Sequence, residues 1–314
     1  MKVLVTGGAG FIGSHVADAL VDRGYDVHVM DDLSGGRRQN VPDAATFHEL
    51  DIRSEEAADL MRQEQFDALV HLAAQMDVRR SVADPRFDAD VNVLGFLNLM
   101  EAGREAGLKK VVFSSTGGAI YGDPDPAVND GGPQPEEHPQ RPLSPYGITK
   151  LVTERYLYFY ETSYGIPSVA LRFGNVYGPR QNPHGEAGVV AIFTERLLDG
   201  RQPAIYGHGE QTRDYVFVGD VVRAVLAGLD HEGSETVNVG TGVETSVNTL
   251  FRTLNQITEA GADEVHEPGK PGEQQRSVLD VSHAEQVFGW QPEVSLEEGL
   301  EKTVDWFREK AATS

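Results

Sequence analysis

The chain has 314 residues, of which 49 are acidic and 27 basic, so its formal net charge is −22. Such an acidic surface repels polyanions, which disfavours nucleic acid and anionic membranes as partners. The chain contains no cysteine, which excludes disulfides, thiolate catalysis and cysteine-based metal sites.

The first half of the chain alternates short apolar runs with helix-like periodicity, as stacked strand–helix–strand units do. The predicted strands are Lys2–Thr6, Asp26–Met30, Thr46–Leu50, Ala68–Leu72, Lys110–Ser114 and Pro167–Phe173. The predicted helices are Phe11–Arg23, Arg86–Ala106, Ser144–Tyr164, Ser246–Glu259 and Leu296–Lys310. We therefore expect an α/β fold with a doubly wound parallel sheet in residues 1–174. A smaller C-terminal α/β lobe, residues 175–314, would bind substrate and be interleaved with the first part.

A glycine-rich turn joins the first predicted strand to the first predicted helix. Gly7, Gly10 and Gly13 form the pattern G-x-x-G-x-x-G. The first glycine permits a tight turn, the second allows close approach to a pyrophosphate, and the third allows close packing of helix on strand. The helix that begins at Phe11 and Ile12 then offers its free N–H groups to phosphates. The turn predicts dinucleotide binding on a Rossmann-type sheet.

Asp31 ends the second predicted strand, 18 residues after Gly13. A carboxylate at this point accepts the adenosine ribose hydroxyls and repels a 2′-phosphate, which favours NAD over NADP. Arg37 and Arg38 follow and could soften that preference. The predicted cofactor site also includes the residues of the same turn, Asp32, Ser34 and Gly35.

Tyr146 and Lys150 lie four residues apart at the start of a predicted helix and therefore share one helix face. An ammonium beside a phenol favours the phenolate and lowers its pKa, which makes a general base without histidine or cysteine. The strand before them ends in Ser114, Ser115 and Thr116. These hydroxyls lie at the carboxyl end of a parallel strand, where such sheets bind ligands.

With these motifs the chain resembles the extended short-chain dehydrogenase/reductase family, and within it the UDP-glucose (UDP-galactose) 4-epimerases. The resemblance implies an NAD-dependent isomerase that epimerises C4 of a UDP-hexose through a transient 4-keto intermediate. The segments that carry it span most of the chain: TGGAGFIGSH at 6–15, Asp51-Ile52, HLAAQ at 71–75, FSSTGGAIYG at 113–122, YGITK at 146–150, RFGNVYGPRQNP at 172–183 and RDYVFVGDV at 213–221.

The resemblance also implies roles for individual residues. Tyr146 would be the acid/base at the sugar 4-hydroxyl, and Lys150 would hold the nicotinamide ribose. Thr116 would assist the proton transfer, with Ser115 as the alternative because the local glycine spacing differs by one residue from the usual pattern. The implied cofactor contacts further include Asp51, Ile52, Leu72, Ala73, Ala74, Gln75, Asn92, Ser114 and Phe173. The implied substrate contacts, besides Thr116 and Tyr146, are Asn175, Val189, Ala204, Ile205, Tyr206, Arg213, Lys270, Glu273, Arg276 and Ser277.

Two positions bear on which reaction and which sugar are favoured. Gly117 and Gly118 follow Thr116, where the related dehydratases and decarboxylases carry a carboxylate, so a second acid–base group is missing. Ser277 is small where enzymes restricted to glucose and galactose carry tyrosine, which predicts that the N-acetylated pair is also accepted. A UDP-glucuronate 4-epimerase or another nucleotide-sugar oxidoreductase is the alternative, with Arg180 near the site. A non-catalytic NAD-binding sensor is disfavoured because both Tyr146 and Lys150 are present.

Further expectations concern assembly and environment. The predicted helices Arg86–Ala106 and Ser144–Tyr164 are apolar nearly all round, which fits the core or, as in the family, a homodimer interface. None of the ten histidines has metal-ligand spacing, so no metal is expected. The N-terminus lacks a signal-peptide pattern, so a cytoplasmic protein is expected. The acid excess with only seven lysines is a halophile-like composition.

Overall fold

A computed structural model describes residues 1–184, 188–269 and 274–313. The strands in this part of the chain are β1 (Lys2–Thr6), β2 (Asp26–Asp31), β3 (Thr46–Glu49), β4 (Ala68–His71), β5 (Lys110–Thr116), β6 (Ser168–Phe173), β7 (Asn175–Tyr177), β8 (Ile205–Tyr206), β9 (Thr212–Phe217), β10 (Glu235–Val239), β11 (Glu244–Ser246) and β12 (His266–Glu267).

Helices connect most of these strands. They are α1 (Phe11–Asp22), α2 (Glu55–Glu64), α3 (Val78–Ala83), α4 (Pro85–Ala89), α5 (Gly95–Ala106), α6 (Gly117–Ile120), α7 (Pro126–Asn129), α8 (Pro145–Tyr164), α9 (Val189–Leu198), α10 (Val218–Asp230), α11 (Val247–Thr258), α12 (Ser282–Phe288) and α13 (Leu296–Thr313). No helix among the described residues is both long enough and apolar enough to cross a membrane.

Seven strands form the central sheet in the order β10-β6-β5-β4-β1-β2-β3. β1 pairs in parallel with β2 on one side and β4 on the other, and β4 pairs in parallel with β5. Every residue of β4 and β6 is buried, because a parallel sheet is covered on both faces. The expected doubly wound Rossmann-type sheet is confirmed.

One hydrophobic core lies between this sheet and helices α2, α5 and α8. It contains side chains of β1, β4 and β5 together with residues of the three helices, among them Leu4, Leu69, Val111, Ala57, Met61, Phe96, Leu99, Met100, Leu157 and Tyr160. The helix α2 was not predicted from the sequence. It begins after Ser54, whose hydroxyl accepts a hydrogen bond from the Ala57 N–H, and such N-caps stabilise a helix start.

The predicted helix Arg86–Ala106 is interrupted. The structure has α4 over Pro85–Ala89, a π-helical turn over Asp90–Leu94, and α5 over Gly95–Ala106. The wider turn contains Asn92, whose side-chain amide accepts a hydrogen bond from the backbone N–H of Gln75 and donates one to the Gln75 carbonyl. π-Bulges occur mostly as single turns inside α-helices, and the periodicity of the sequence does not reveal this one.

The chain divides into two compact units. The first contains Met1–Ile120, Arg141–Arg172 and Val222–Val237. The second contains Tyr121–Gln140, Phe173–Val221 and the chain from Asn238 onward. The second unit has its own three-stranded sheet, β11-β9-β7, and a two-stranded sheet of β12 and β8.

Candidate active site

The glycine turn between β1 and α1 leaves no room for side chains. Gly7 has φ +70°, and a Cβ there would lie 2.8 Å from the backbone nitrogen of Ala73. A Cβ on Gly13 would overlap the carbonyl oxygen of Gly7. α1 begins after Gly10 without a side-chain cap, so N–H groups of its first turn stay available to an anion. This cradle fits the pyrophosphate of a dinucleotide.

Asp31 closes the same cradle at the carboxyl end of β2. Its carboxylate accepts hydrogen bonds from the N–H of Ala9, at 3.0 Å, and of Leu33, at 2.9 Å. Burial raises the pKa of Asp31, and these two N–H groups oppose the shift. The carboxylate therefore fixes the glycine turn and lies at the end of β2, where the sequence pattern predicts contact with the adenosine ribose. The Arg38 guanidinium lies over the Phe47 ring, 4.7 Å from its centroid.

The residues expected to flank adenine, Asp51 and Ile52, follow β3, and a segment expected to line the cofactor follows β4. Asp51 accepts hydrogen bonds from the backbone N–H and the Nε of Arg53, at 2.9 and 3.0 Å, and Arg53 lowers the pKa of Asp51. Leu72 and Ala73 each donate a backbone N–H to the Thr6 hydroxyl at 3.2 Å. The segment after β4 is thereby fixed against the glycine turn.

Tyr146 and Lys150 lie in the first two turns of α8, which Ser144 caps by accepting the N–H of Gly147. The Thr116 hydroxyl, at the end of β5, hydrogen-bonds the Tyr146 side chain. Lys150 donates from Nζ to the carbonyl of Ser114 at 2.8 Å and lies 5.8 Å from the centroid of the Tyr146 ring. The structure thus brings the phenol, the ammonium and one hydroxyl together at the carboxyl end of the sheet.

Burial sets the ionisation of this pair. It raises the pKa of Tyr146 to about 12, helped by the negative charge of Asp88 and opposed by the Thr116 hydrogen bond. It lowers the pKa of Lys150 to about 7, opposed by the charges of Asp88 and Glu154. Burial therefore opposes both the release of a proton by the phenol and the retention of a proton by the ammonium.

Ser115 faces a different partner. Its hydroxyl donates to Glu154 at 2.6 Å, and the same carboxylate receives Nε and Nη2 of Arg172 at 2.9 and 2.7 Å. All three side chains are buried. Between the two hydroxyls proposed for proton transfer, Thr116 is the one in contact with Tyr146.

A second buried network lies on the α4 side of α8. Asp88 accepts hydrogen bonds from Gln75 Nε2 at 2.8 Å, from Asn92 Nδ2 at 3.3 Å and from the Thr149 hydroxyl at 2.9 Å. Gln75 and Asn92 are expected cofactor contacts, and the structure engages the side-chain amides of both inside the protein.

The expected diphosphate ligands lie in the second unit. Asn175 is on β7 and pairs with Tyr215 of β9, while Arg213 of β9 pairs with Thr245 of β11. The Arg276 guanidinium forms a two-pronged ion pair with Glu244, and this arginine lowers the pKa of the carboxyl. Glu244 also accepts the Thr212 hydroxyl at 2.6 Å.

Asp214, between these elements, organises the second unit. It is fully buried. Its carboxylate accepts the N–H and hydroxyl of Thr241, both at 2.7 Å, and the N–H groups of Gly242 and Leu279, at 3.0 and 3.2 Å. One side chain therefore fixes β9, the loop before β11 and the segment that follows Arg276. Burial raises the pKa of Asp214, and these hydrogen bonds oppose the shift.

The remaining expected contacts are placed as follows. Phe173 is buried at the end of β6, and Val189 is half-buried at the start of α9. On and before β8, Ile205 is fully buried, Ala204 is half-buried and Tyr206 is exposed. Ser277 is fully buried, and its hydroxyl has no hydrogen-bond partner among the described residues. Lys270 and Glu273 lie outside the described residues.

Several residues in the polar networks of the two units were not predicted from the sequence. They are Asp88, Thr149, Glu154, Arg172, Asp214 and Glu244. Helical spacing offered a signal for some of them, since Glu154 lies four residues after Lys150 and Asp88 four residues before Asn92. Among the described residues, no group of three acidic or histidine side chains could hold a metal ion.

A family model described as the NAD dependent epimerase/dehydratase family matches residues 3–240. A Mycolicibacterium smegmatis protein named UDP-glucose 4-epimerase is 47% identical, over 99% of this chain and all of that protein. The crystal structure of a Thermotoga maritima UDP-glucose 4-epimerase with UDP-glucose is 48% identical and superposes with a TM-score of 0.96, covering 99% of this chain and 100% of that one. A Thermus thermophilus UDP-glucose 4-epimerase in complex with NAD is 45% identical, with a TM-score of 0.91 and coverage of 98% and 99%.

Proposed function

Because the chain belongs to the NAD-dependent epimerase/dehydratase family, we propose that it is an isomerase that inverts C4 of a UDP-hexose through a transient 4-keto sugar. The observation that carries the proposal is the contact of Tyr146 with Thr116 beside Lys150. When bound, NAD supplies a hydride acceptor that can return the same hydride, which is the redox chemistry that inversion at C4 needs.

The protein's own residues handle the proton. The Tyr146 phenolate takes the 4-hydroxyl proton while C4 loses its hydride, so that C4 becomes a ketone. Tyr146 returns the proton when the hydride comes back on the opposite face. The ammonium of Lys150 stabilises the phenolate, and the Thr116 hydroxyl stabilises it by hydrogen bonding.

The residues after Thr116 support a reaction at one carbon only. β5 ends at Thr116 and α6 follows directly as Gly117–Ile120, with the sequence GGAI. Elimination or decarboxylation needs a second acid or base beside the sugar. This short helix provides no carboxylate for that role, which favours epimerisation.

The substrate's diphosphate would be held by Arg213 and Arg276, because guanidinium groups bind phosphate oxygens in a two-pronged fashion. Firm binding of UDP would let the hexose turn within the site. Ser277 supports a broader sugar range: a small buried side chain whose hydroxyl lacks a partner among the described residues leaves more room than a tyrosine would. We therefore propose that the glucose/galactose and N-acetylglucosamine/N-acetylgalactosamine pairs are both accepted.

We further propose that the enzyme works as a homodimer through α8 and the turn before α5. Three aromatic side chains of α8 are exposed: Tyr158 at 67%, Phe159 at 44% and Tyr164 at 47%; Leu94 is exposed at 57%. Apolar side chains grouped on a surface mark an interaction site. Light scattering after gel filtration should give twice the chain mass, and Tyr158→Glu should shift it toward the monomer. A monomeric wild type would contradict the proposal.

The function is tested on purified protein without added cofactor. Denaturation should release nicotinamide nucleotide. Incubation with UDP-glucose should produce UDP-galactose, which chromatography would detect. Tyr146→Phe should keep the bound cofactor and lose turnover by several orders of magnitude. Tyr25→Phe, outside the site, is the matched control and should behave as wild type. Near-normal turnover in Tyr146→Phe would contradict the mechanism, and a wild type that binds cofactor without turnover would identify a sensor.

A further inference from the structure

Asp88 is a fully buried carboxylate on α4 whose hydrogen-bond donors are all neutral. They are the amides of Gln75 and Asn92 and the hydroxyl of Thr149. An ionised carboxylate accepts from all three, because it has acceptor sites only. A buried charge is costly unless an opposite charge lies near it, so a cation close to Asp88 would stabilise its ionised form.

Lys150 is the complementary case, a buried cation with neutral contacts. Nζ donates to the Ser114 carbonyl at 2.8 Å, and the Phe113 ring centroid lies 4.8 Å away. In the part of the chain that the structure describes, no carboxylate is within ion-pair distance of Nζ. A carboxylate that stabilises the ammonium of Lys150 therefore acts from beyond ion-pair distance.

Two carboxylates raise the pKa of Lys150, Asp88 and Glu154. Glu154 already has a cationic partner, since Arg172 forms a bidentate ion pair with it, with Nε and Nη2 at 2.9 and 2.7 Å from the carboxylate oxygens. Among the described residues, no arginine or lysine forms an ion pair with Asp88. Asp88 is also tied to the lysine's helix turn, because it binds the hydroxyl of Thr149, the residue immediately before Lys150.

We propose that Asp88 is a positioning residue for the reaction: it supplies the buried negative charge that keeps Lys150 a cation, and it fixes that turn of α8 through Thr149. This role rests on the proposed use of Lys150 to stabilise the Tyr146 phenolate. Without Asp88, the pKa of the buried Lys150 would fall further. The Tyr146 phenolate would then lose the ammonium that stabilises it at a lower pH than in the wild type.

The negative charge of Asp88 acts on a small set of titratable groups around Lys150. Tyr146 and Glu154 face Lys150 from α8, His71 faces it from β4, and Asp88 acts from α4. Burial and Lys150 lower the pKa of His71 to about 3, so this histidine stays neutral. The negative charge of Asp88 raises the pKa of both Tyr146 and Lys150, so it favours the neutral phenol as well as the ammonium.

Asp88→Asn tests the charge with little change in shape. The new amide can accept from Gln75 or Asn92 with its oxygen and donate to the Thr149 hydroxyl, which itself can still bond the Tyr146 carbonyl at 3.0 Å. The basic limb of the pH profile of kcat should move down by about one pH unit, as expected for loss of a nearby opposite charge. Asp59→Asn, on the exposed surface of α2, is the matched control and should leave the limb unmoved. A lower rate with an unmoved limb would overturn the proposal.

A stability cycle with Lys150→Met gives a readout that needs no turnover. In the otherwise wild-type holoenzyme, Asp88→Asn should lower the melting temperature, because the buried ammonium of Lys150 loses the negative charge that compensates it. In the Lys150→Met background the same change should raise it, because it removes an uncompensated buried carboxylate. A decrease of equal size in both backgrounds would show a purely structural role and overturn the proposal. If the wild type failed to epimerise, the proposed function would fall while the sign of this cycle would still decide the role of Asp88.

Discussion

The Ser115 hydroxyl donates a 2.6 Å hydrogen bond to the buried carboxylate of Glu154. This bond uses the single proton of Ser115, whereas the adjacent Thr116 hydroxyl bonds Tyr146. Two neighbouring hydroxyls on one strand therefore have separate tasks, because successive side chains of a strand point to opposite faces.

Thr116→Val should lower kcat by about one to two orders of magnitude with unchanged stability, because the phenolate loses a hydrogen bond made during proton transfer. Ser115→Ala should instead lower the melting temperature, since it leaves part of the Glu154 carboxylate unpaired in the core. Steady-state kinetics and thermal melting of both variants check this. The opposite assignment of effects would return the catalytic role to Ser115.

Glu244→Gln should raise KM for the UDP-sugar by about fivefold with little change in kcat, because a preoriented Arg276 loses its carboxylate; this corresponds to about 1 kcal/mol for a partly exposed pair. The control is Glu264→Gln, which removes a similar two-pronged partner from Arg252 in the same unit and should leave KM unchanged. A lower KM in Glu244→Gln would show that Glu244 competes with the diphosphate instead of orienting Arg276.

Ser277→Tyr should abolish turnover of the N-acetylated sugars and spare UDP-glucose and UDP-galactose, because the phenol ring would occupy the space of a 2-acetamido group. Ser277→Ala is the matched control. It removes a buried hydroxyl that lacks a partner among the described residues and should keep both activities. Activity assays on both sugar pairs check the prediction, and equal damage to both in Ser277→Tyr would contradict it.

The stacked imidazoles of His28 and His48 should make stability depend on pH. Their rings lie 5.1 Å apart and are joined by a 2.9 Å hydrogen bond between Nδ1 and Nε2. Burial lowers the pKa of both residues, and for His48 the neighbouring His28 adds to the shift. Groups with a lowered pKa are neutral in the folded protein while the unfolded chain takes up protons, so stability should fall as pH drops below about 6.5.

His48→Gln should flatten this part of the pH–stability curve, measured as the unfolding midpoint in urea between pH 7.5 and 5.5. His184→Gln, at a position whose side chain is 70% exposed, is the control and should keep the wild-type slope. An unchanged slope in His48→Gln would remove the histidine pair as its source.

The net charge of −22 predicts a melting temperature that rises with salt. Repulsion between surface carboxylates weakens as the screening length falls from about 10 Å at 0.1 M to about 3 Å at 1 M salt. Thermal melting across potassium chloride concentrations tests this. A melting temperature indifferent to salt up to 1 M would reject the halophile interpretation.

The sequence alone was enough for six of the seven strands of the sheet, for the family and for the positions of Tyr146 and Lys150 on one helix. These features follow from local patterns: continuous apolar runs give buried parallel strands, glycine spacing gives the phosphate turn, and a spacing of four puts two side chains on one helix face. The local pattern did not predict the interrupted helix at Asp90–Leu94, where Asn92 makes hydrogen bonds to Gln75 and Thr149, 17 and 57 residues away in the chain.

Only the tertiary structure decided which charges and hydroxyls meet. Asp88 lies 61 residues from Thr149 in sequence, and Ser115 lies 39 residues from Glu154. Such partners are selected by the packing of α4, β5 and α8, since a buried polar group must find whatever donor or acceptor the fold brings within hydrogen-bond distance. The sequence therefore determined which groups could do the chemistry, and the packing of the chain decided how each of them is charged and held.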